Sequence, residues 1–489
     1  MTLVFDWPSV GEFVDREDEL AALEEWWGDT DRTPLSLYGR RRCGKSWLFR
    51  RFAHGKPAVV LVAKRVSPGQ QLSDFADRLA PLLGVRPAID SLADLFRIIY
   101  RAASKEKLLI VIDEFPYLLP VNNSEIDREL TIIAAVMEEE RDSSKLKLLL
   151  CGSLVAQMES LLAERGPLHG RLRPMRLQPV PYEEARLFLP SLTDPLDVFE
   201  RFAIAGGMPR YLTVLGKPVA LADVICEWVL NPNAALWDEG KTLLEELREP
   251  KVYFAVLQAL ASGDKDSGDL VNSLRMDAQR VSKYLRVLEE MRLVDRRLPA
   301  GADAASRSGH WHLRDPFLRF WFRFVFPFQD DLESGLSGRT LYDSEVEPVL
   351  NDHVGKEFEE YCRSWTRANY KVTRVDSWWG PSINSLRRTG ARSSEEVDIV
   401  GTARGKVAIL GDVRWRKSAM DVGYLSDIET YKLPALRQSP LKVVVTPTIL
   451  LFSRGGYTAG LVEAASKRSD LVLVDVPRQL SNSRHSSLP

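Results

Sequence analysis

The sequence predicts an α/β protein of several domains. Three observations predict it: the chain has 489 residues; strand-like apolar runs alternate with amphipathic stretches over its first third; and those runs vanish, then return near the C-terminus. A chain this long exceeds one ordinary hydrophobic core, so about three or four domains are expected. With 45% hydrophobic and 27% charged residues the composition is that of folded globular protein, apart from the last few positions.

The first part, residues 1–189, carries the runs "PLSLYG", "AVVLVA", "LLIVID" and "KLKLLLCG" separated by helix-like segments. That alternation means a parallel sheet covered by helices. Residues 190–249 read as helices only, including "DVFERFAIAGGMPRYL" and "ADVICEWVL", which suggests a helical lid. Residues 250–335 begin with an apolar helix, the polar turn "SGDKDSGD", a short helix, and then "AQRVSKYLRVLEEMRLVDRRL", the order of a winged helix-turn-helix. Val281, Leu285 and Leu288 fall at i, i+4 and i+7. Arg280 and Lys283 therefore lie on another face, which suits a solvated surface as well as a DNA-reading one. "AGADAASRSG" reads as a wing or linker. The aromatic run "DPFLRFWFRFVFPF" is interrupted by Arg319 and Arg323, so a buried amphipathic helix is expected there rather than a membrane segment. Residues 336–480 offer a helix around "GKEFEEYCRSW" and the strands "EEVDIVG", "KVAILGDVRW" and "LKVVVTPTILLFS", a separate α/β domain. Residues 481–489 lack apolar anchors and read as a disordered tail.

Charge excludes some function classes. Lysine and arginine number 66 against 68 acidic residues, so overall charge does not argue for a nucleic-acid partner and any such surface must be local. Cys43, Cys151, Cys226 and Cys362 have no paired spacing, and the six histidines form no ligand cluster. A disulfide framework or structural zinc is not expected, and a reducing cytoplasm fits. The start "MTLVFDWPSVGEF" lacks a basic segment followed by an apolar core, so the protein reads as cytoplasmic with no membrane partner.

The chemistry concentrates at "SLYGRRRCGKSWLFRRF". Gly39, Gly44, Lys45 and Ser46 have P-loop spacing between a strand and a helix. The glycines let the loop curl so that backbone N–H groups point at a β-phosphate, and the helix N-terminus adds positive potential. Lys45 is placed to reach the β- and γ-phosphates, and the Ser46 hydroxyl to ligate magnesium. The whole segment, Gly39, Arg40, Arg41, Arg42, Cys43, Gly44, Lys45, Ser46 and Trp47, is the candidate site for ATP with Mg2+. In "KLLIVIDEFPYL" a buried strand ends in Asp113 and Glu114. Parallel strands present their C-terminal ends to the ligand crevice, which places Asp113 at the magnesium shell and Glu114 at the attacking water. Ser153, at the end of "KLKLLLCGS", stands where a γ-phosphate sensor would sit. Arg165, Arg171, Arg173 and Arg176 are expected outside the sheet. Any one of them, Arg171 included, is a candidate arginine finger, a role often filled from a neighbouring subunit.

Taken together, "FVDREDELAALEEWW", "YGRRRCGKSWL", "VIDEFPYL", "LLLCGS", "AGGMPRYL" and "HLRDPFLRFWFRFV" resemble the archaeal-type P-loop ATPases, in the signalling (STAND-like) branch of the AAA+ superfamily. The likeness runs through nearly the whole chain in the same order. It implies an ATPase core followed by a helical lid, a winged helix and a C-terminal domain of restriction-endonuclease type, the PD-(D/E)xK pattern. It also implies that Arg16 and Glu17 lie on the approach to the adenine, and that Arg210 is a lid residue sensing the nucleotide.

A restriction-endonuclease-like core needs carboxylates from a helix and two adjacent strands around a divalent metal, with a lysine nearby. Glu359 on the helix, Asp398 on "EEVDIVG" and Asp412 on "KVAILGDVRW" supply such a set, a second candidate metal site. Strand alternation puts Asp412 and Arg414 on one face. Arg414 departs from the acid-x-lysine pattern: a guanidinium clamps phosphate but does not give up its proton, which counts against cleavage. "SLRRTGARSS" and "RWRK" add basic density suited to a phosphate backbone.

The leading reading is thus an ATP-binding and ATP-hydrolysing protein whose nucleotide state is coupled to a DNA-binding, nuclease-derived C-terminal domain, with duplex DNA as partner. Two others remain open: a nucleotide-controlled signalling or scaffold switch with a protein partner or a second copy of the chain, and an ATP-gated metal-dependent DNA nuclease.

Overall fold

Parallel strands buried on both faces are near-continuous apolar runs, and the four runs of the first part lie side by side with only Ser36 and Lys147 as buried polar side chains short of the Asp113 end. In the computed structural model they form β1 (Leu35–Tyr38), β2 (Ala58–Val62), β3 (Leu108–Asp113) and β4 (Leu146–Gly152), with a fifth strand, β5 (Arg173–Arg176). All pairings are parallel, in the order β2-β3-β4-β1-β5. β1, β3 and β4 are buried along their whole length. Around the sheet lie α1 (Glu17–Gly28), α2 (Lys45–Ala53), α3 (Pro68–Leu83), α4 (Leu92–Ala102), α5 (Asn123–Glu140) and α6 (Val155–Leu161). Ser67 and Ser91 cap α3 and α4 by accepting from the backbone N–H of Gln70 and Asp94, which satisfies one of the orphan donors at each helix start. Phe75, Phe96, Ile110 and Phe115 share one core.

The structure describes residues 4–164, 166–244, 250–303, 306, 308–382 and 394–481. They fall into two bodies: residues 1–180 with 208–210, and residues 181–207 with 211–489. β5 corrects one expectation. Arg173 and Arg176 do not stand outside the sheet but form its edge, paired to β1 through Leu35–Tyr38. All four residues of "RPMR" are exposed or half-buried, so the strand carries no apolar run to mark it in the sequence.

In the second body, helices at Pro250–Ala261, Ser267–Leu274 and Ala278–Glu290 precede the antiparallel pair β6 (Val294–Arg297) and β7 (His310–Leu313). Val281, Tyr284, Leu285 and Leu288 are buried, while Gln279, Arg280, Ser282, Lys283 and Arg286 are exposed. The Asp277 carboxylate caps this helix through the Arg280 N–H at 2.9 Å. The aromatic run forms the helix Pro316–Phe324, but it is buried almost all round rather than on one face. Arg319 is tolerated inside because it pairs with Glu357 at 3.0 Å and donates to the His353 carbonyl at 3.2 Å. Gly206, at φ +66°, leaves no room for a Cβ against Pro316, and the Tyr211 and Phe317 rings lie 4.3 Å apart.

The C-terminal part contains the long helix Glu347–Asn369 and a mixed sheet of β8 (Arg374–Pro381), β9 (Ser394–Ala403), β10 (Lys406–Arg414), β11 (Val443–Ser453) and β12 (Leu471–Asp475), in the order β12-β11-β10-β9-β8. β9 is antiparallel to both neighbours; β10, β11 and β12 run parallel. The two edge strands, β8 and β12, were absent from the sequence reading. Arg165, most of "SLRRTGARSS", part of "AGADAASRSG" and the tail from residue 482 lie outside the described residues. Among the described residues no helix is long and apolar enough to cross a membrane, and all four cysteines are free.

Candidate functional site

The loop after β1 is shaped by close approach and by backbone sign. A Cβ at Gly39 would overlap the Leu177 carbonyl oxygen. Gly44 has φ +98° and Arg42 +69°, turns that let the loop fold back before α2 begins at Lys45. Cys43, Leu48 and Phe49 are fully buried and anchor it. Lys45 is itself buried, and its Nζ donates to the carbonyls of Gly39 at 2.8 Å and Arg40 at 3.1 Å. The ammonium therefore lies along the inside of the loop. Arg41 and Trp47 are exposed, Arg40 and Arg42 half-buried. The Trp47 ring meets Trp7 edge-on at 4.9 Å.

Arg16 braces this loop from behind. Its backbone is left-handed at φ 70° and its side chain is 6% exposed. Nη2 donates to the Cys43 carbonyl at 3.2 Å and to the Gln178 carbonyl at 2.6 Å, and Nη1 pairs with Glu19 at 2.7 Å. Such a role has no signal in the sequence, because the two acceptors are main-chain atoms 27 and 162 residues away. Glu17 is the first, exposed residue of α1.

Strand order brings the acids to the loop. β4 lies between β1 and β3, so the ends of these three strands carry Gly39, Ser153 and Asp113 along one edge of the sheet. Ser46 Oγ donates to Asp113 Oδ2 at 3.3 Å, and the Glu114 N–H donates to Asp113 Oδ1 at 3.1 Å. Ser153 gives two hydrogen bonds to Glu114 Oε2, from N–H at 2.9 Å and from Oγ at 2.8 Å. Burial, and then the neighbouring Glu114 carboxylate, push the Asp113 carboxyl above its ordinary value, against the pull of Lys45 and Ser46. A buried carboxylate beside a hydroxyl is a hard-oxygen donor set of the kind magnesium takes, and a cation there would offset the cost of the buried charge. The residues present thus fit Mg2+ held by Ser46 and Asp113.

Residues Met208–Arg210 belong to the first body. Pro209 Cγ lies 3.8 Å from where a Gly44 Cβ would stand, and Arg210, next in the chain, is exposed. Arg171 is exposed, 3.9 Å from Glu138, and donates to the Pro167 carbonyl at 3.3 Å. Arg176 lies 3.5 Å from Glu159.

In the second body a cavity of about 870 Å3 opens beside β10, with Lys356, Glu359, Glu396, Asp398, Arg414 and Lys432 in its wall. Asp398 Oδ2 accepts from the Val413 N–H at 2.8 Å and from Arg414 Nη1 at 3.1 Å. Arg414 Nη2 is 2.8 Å from Asp412 Oδ1, so the two side chains do share a side of β10. Asp412 Oδ2 pairs with Lys432, a buried residue at the end of the π-helical turn Ile428–Lys432. Glu359 lies 3.6 Å from Lys356 and 4.0 Å from Arg363. Burial raises its carboxyl to about 7, Asp398 adding to the effect and Lys356 and Arg363 opposing it. Burial also raises Asp412, against Lys432 and Arg414. The chain's own cations thus stand at all three carboxylates. Among the described residues no group of three or more histidine, cysteine or acidic side chains is disposed to hold a metal ion. Lys432 was missed from the sequence, where nothing distinguishes it from a surface lysine.

Residues 13–215 match the family model described as an ATPase domain predominantly from Archaea. Residues 254–296 match the arsR family of bacterial regulatory proteins, a helix-turn-helix family, and residues 321–426 match a family of archaeal and bacterial proteins of unknown function. An uncharacterized protein of Methanocaldococcus jannaschii is 25% identical over 416 residues, 83% of this chain and 88% of that one. An uncharacterized ATP-binding protein of the same organism is 43% identical over 44 residues, 9% of this chain and 75% of that one. The Walker-type ATPase of Pyrococcus abyssi superposes with a TM-score of 0.50 at 20% identity, over 66% of this chain and all of that one. Residues 13–215 are therefore similar to an archaeal ATPase domain, the chain shares the fold of a Walker-type ATPase, and residues 254–296 are similar to a helix-turn-helix.

Proposed function

We propose that the protein is a magnesium-dependent ATPase whose nucleotide state controls how its second body engages duplex DNA. The observation that carries the ATPase reading is the convergence of Lys45, Ser46, Asp113, Glu114 and Ser153 at one edge of a parallel sheet, within a chain that matches an archaeal ATPase domain. Lys45 leaves the loop carbonyls to bind the β- and γ-phosphates of ATP, and the N–H groups at the start of α2 hold the β-phosphate. Ser46 and Asp113 would hold a magnesium ion, which would offset negative charge on the phosphates. Glu114 accepts a proton as water attacks the γ-phosphorus and ADP leaves. Arg210 is read as a nucleotide-sensing residue, and Arg171 as a finger directed at a neighbouring copy.

The DNA reading is supported by the arsR-type match and by the exposed Gln279, Arg280, Ser282, Lys283 and Arg286 on the helix that follows the turn, the position whose side chains enter a major groove. The C-terminal domain is read as nuclease-derived and non-cleaving. Arg414 and Lys432 occupy Asp398 and Asp412, which favours binding over metal-dependent hydrolysis. The ATPase reading is tested by phosphate release from ATP and magnesium. Lys45→Ala is expected to abolish both nucleotide binding and turnover. Glu114→Gln is expected to keep binding and to slow turnover by about 10²–10⁴-fold, the usual contribution of a general base. Turnover that survives both substitutions would reject the site.

A further inference from the structure

Ser153 directly follows β4, where a γ-phosphate sensor is expected, yet its polar atoms face Glu114. Both its N–H and its hydroxyl donate to the same oxygen, Glu114 Oε2. A hydroxyl has one proton to give, so while this geometry holds Ser153 donates nothing to a phosphate. Its position is fixed by packing: a Cβ at the preceding Gly152 would stand 2.6 Å from Met158 Sδ and 3.1 Å from Pro116 Cδ. Pro116 belongs to the turn that starts at Glu114, so the turns after β3 and β4 are wedged against each other. Glu114 has the left-handed backbone conformation, φ 55°, which for a non-glycine residue persists only where its surroundings hold it.

We propose that Ser153 is a positioning residue for Glu114 and not a contact of the γ-phosphate. It anchors Oε2 through two hydrogen bonds and leaves Oε1 as the oxygen that takes the proton. In the step so served, a water O–H bond breaks and its proton goes to Oε1. The water oxygen bonds to the γ-phosphorus, and the bond to the bridging oxygen breaks with its electron pair leaving on ADP. This inference rests on the ATPase reading above.

The test is a double-mutant cycle on the intact protein, with single-turnover rates and separate ATP and ADP affinities for the parent, Ser153→Ala, Glu114→Gln and the double variant, plus Ser153→Thr. Ser153→Ala deletes one of two hydrogen bonds to a charged acceptor. It is expected to lower the rate about tenfold while leaving both affinities within twofold, and Ser153→Thr is expected to restore the rate. In the Glu114→Gln background Ser153→Ala is expected to cost nothing more, because its effect passes through the carboxylate. An equal loss in that background, or a loss of ATP affinity with ADP affinity intact, would overturn the proposal in favour of a direct phosphate contact. A parent that binds ATP but never turns it over would instead reject the ATPase reading, and this inference with it.

Discussion

Removing the Arg16 guanidinium should loosen the phosphate loop by freeing the two carbonyls it holds. Arg16→Ala strips a charged donor from two main-chain carbonyls, Cys43 at 3.2 Å and Gln178 at 2.6 Å. A hydrogen bond from a charged group is worth about 1.5–3 kcal/mol, and a buried acceptor left bare costs about 1–3 kcal/mol. The Cys43 bond is buried while the Gln178 bond is partly so, and water reaching the second carbonyl brings the net loss to about 3–4 kcal/mol. For a body of about this size 1 kcal/mol is about 2–4 °C. Melting of the ATPase body is therefore expected to fall by about 6–16 °C. ATP affinity is expected to weaken at least tenfold, since the N–H groups of the loop are no longer held in one arrangement. Arg16→Lys, which keeps the charge but not the fork, is expected to fall between. Calorimetry and nucleotide titration measure both effects. A melting temperature within a degree of the parent and an affinity within twofold would refute the bracing role.

Other outcomes follow from the same geometry. Asp113 has a raised carboxyl in the folded protein, so its contribution to stability is fully present at acid pH and is lost as pH rises. Asp113→Asn is expected to raise the melting temperature at neutral pH, with the gain fading on acidification, while magnesium-dependent ATP binding is lost. Glu359, raised to about 7 and facing Lys356, Asp398, Arg363 and Glu396, follows the same sign. Glu359→Gln is expected to match the parent near pH 4 and to exceed it in thermal stability above pH 7. If duplex DNA lies along the helix Ala278–Glu290, Lys283→Ala and Arg286→Ala should each lower the slope of log affinity against log salt by about 0.9; titrations between 50 and 200 mM salt measure it, and unchanged slopes would remove that helix from the interface.

What the sequence exposed and what it hid follow one physical division. Phosphate-loop chemistry is local: Gly39, Gly44, Lys45 and Ser46 act through their own backbone turn, and Asp113 and Glu114 through the end of one buried strand, so spacing alone locates them. The winged-helix core was legible for the same reason, since Val281, Leu285 and Leu288 are set by helical period. Residues whose meaning depends on distant partners were not legible. β5 is four residues long with arginine at both ends, so it carries no apolar run, whereas β12, Leu471–Asp475, is an apolar run that the pattern could have shown. Arg16 reads carbonyls far along the chain, and Lys432 gains its partner only when the turn Ile428–Lys432 comes to lie on β10. The aromatic helix was placed correctly but its charge was misjudged. Arg319 looks like one face of an amphipathic helix until Glu357 is seen to neutralise it inside the core.

The measurement closest to the central claim is ATP hydrolysis by the intact protein with magnesium, with and without duplex DNA, using Lys45→Ala as the blank. A rate that vanishes in the blank and rises on adding DNA is the expected result. A rate that vanishes in the blank but is indifferent to DNA would contradict the coupling and turn attention to a protein partner for the second body.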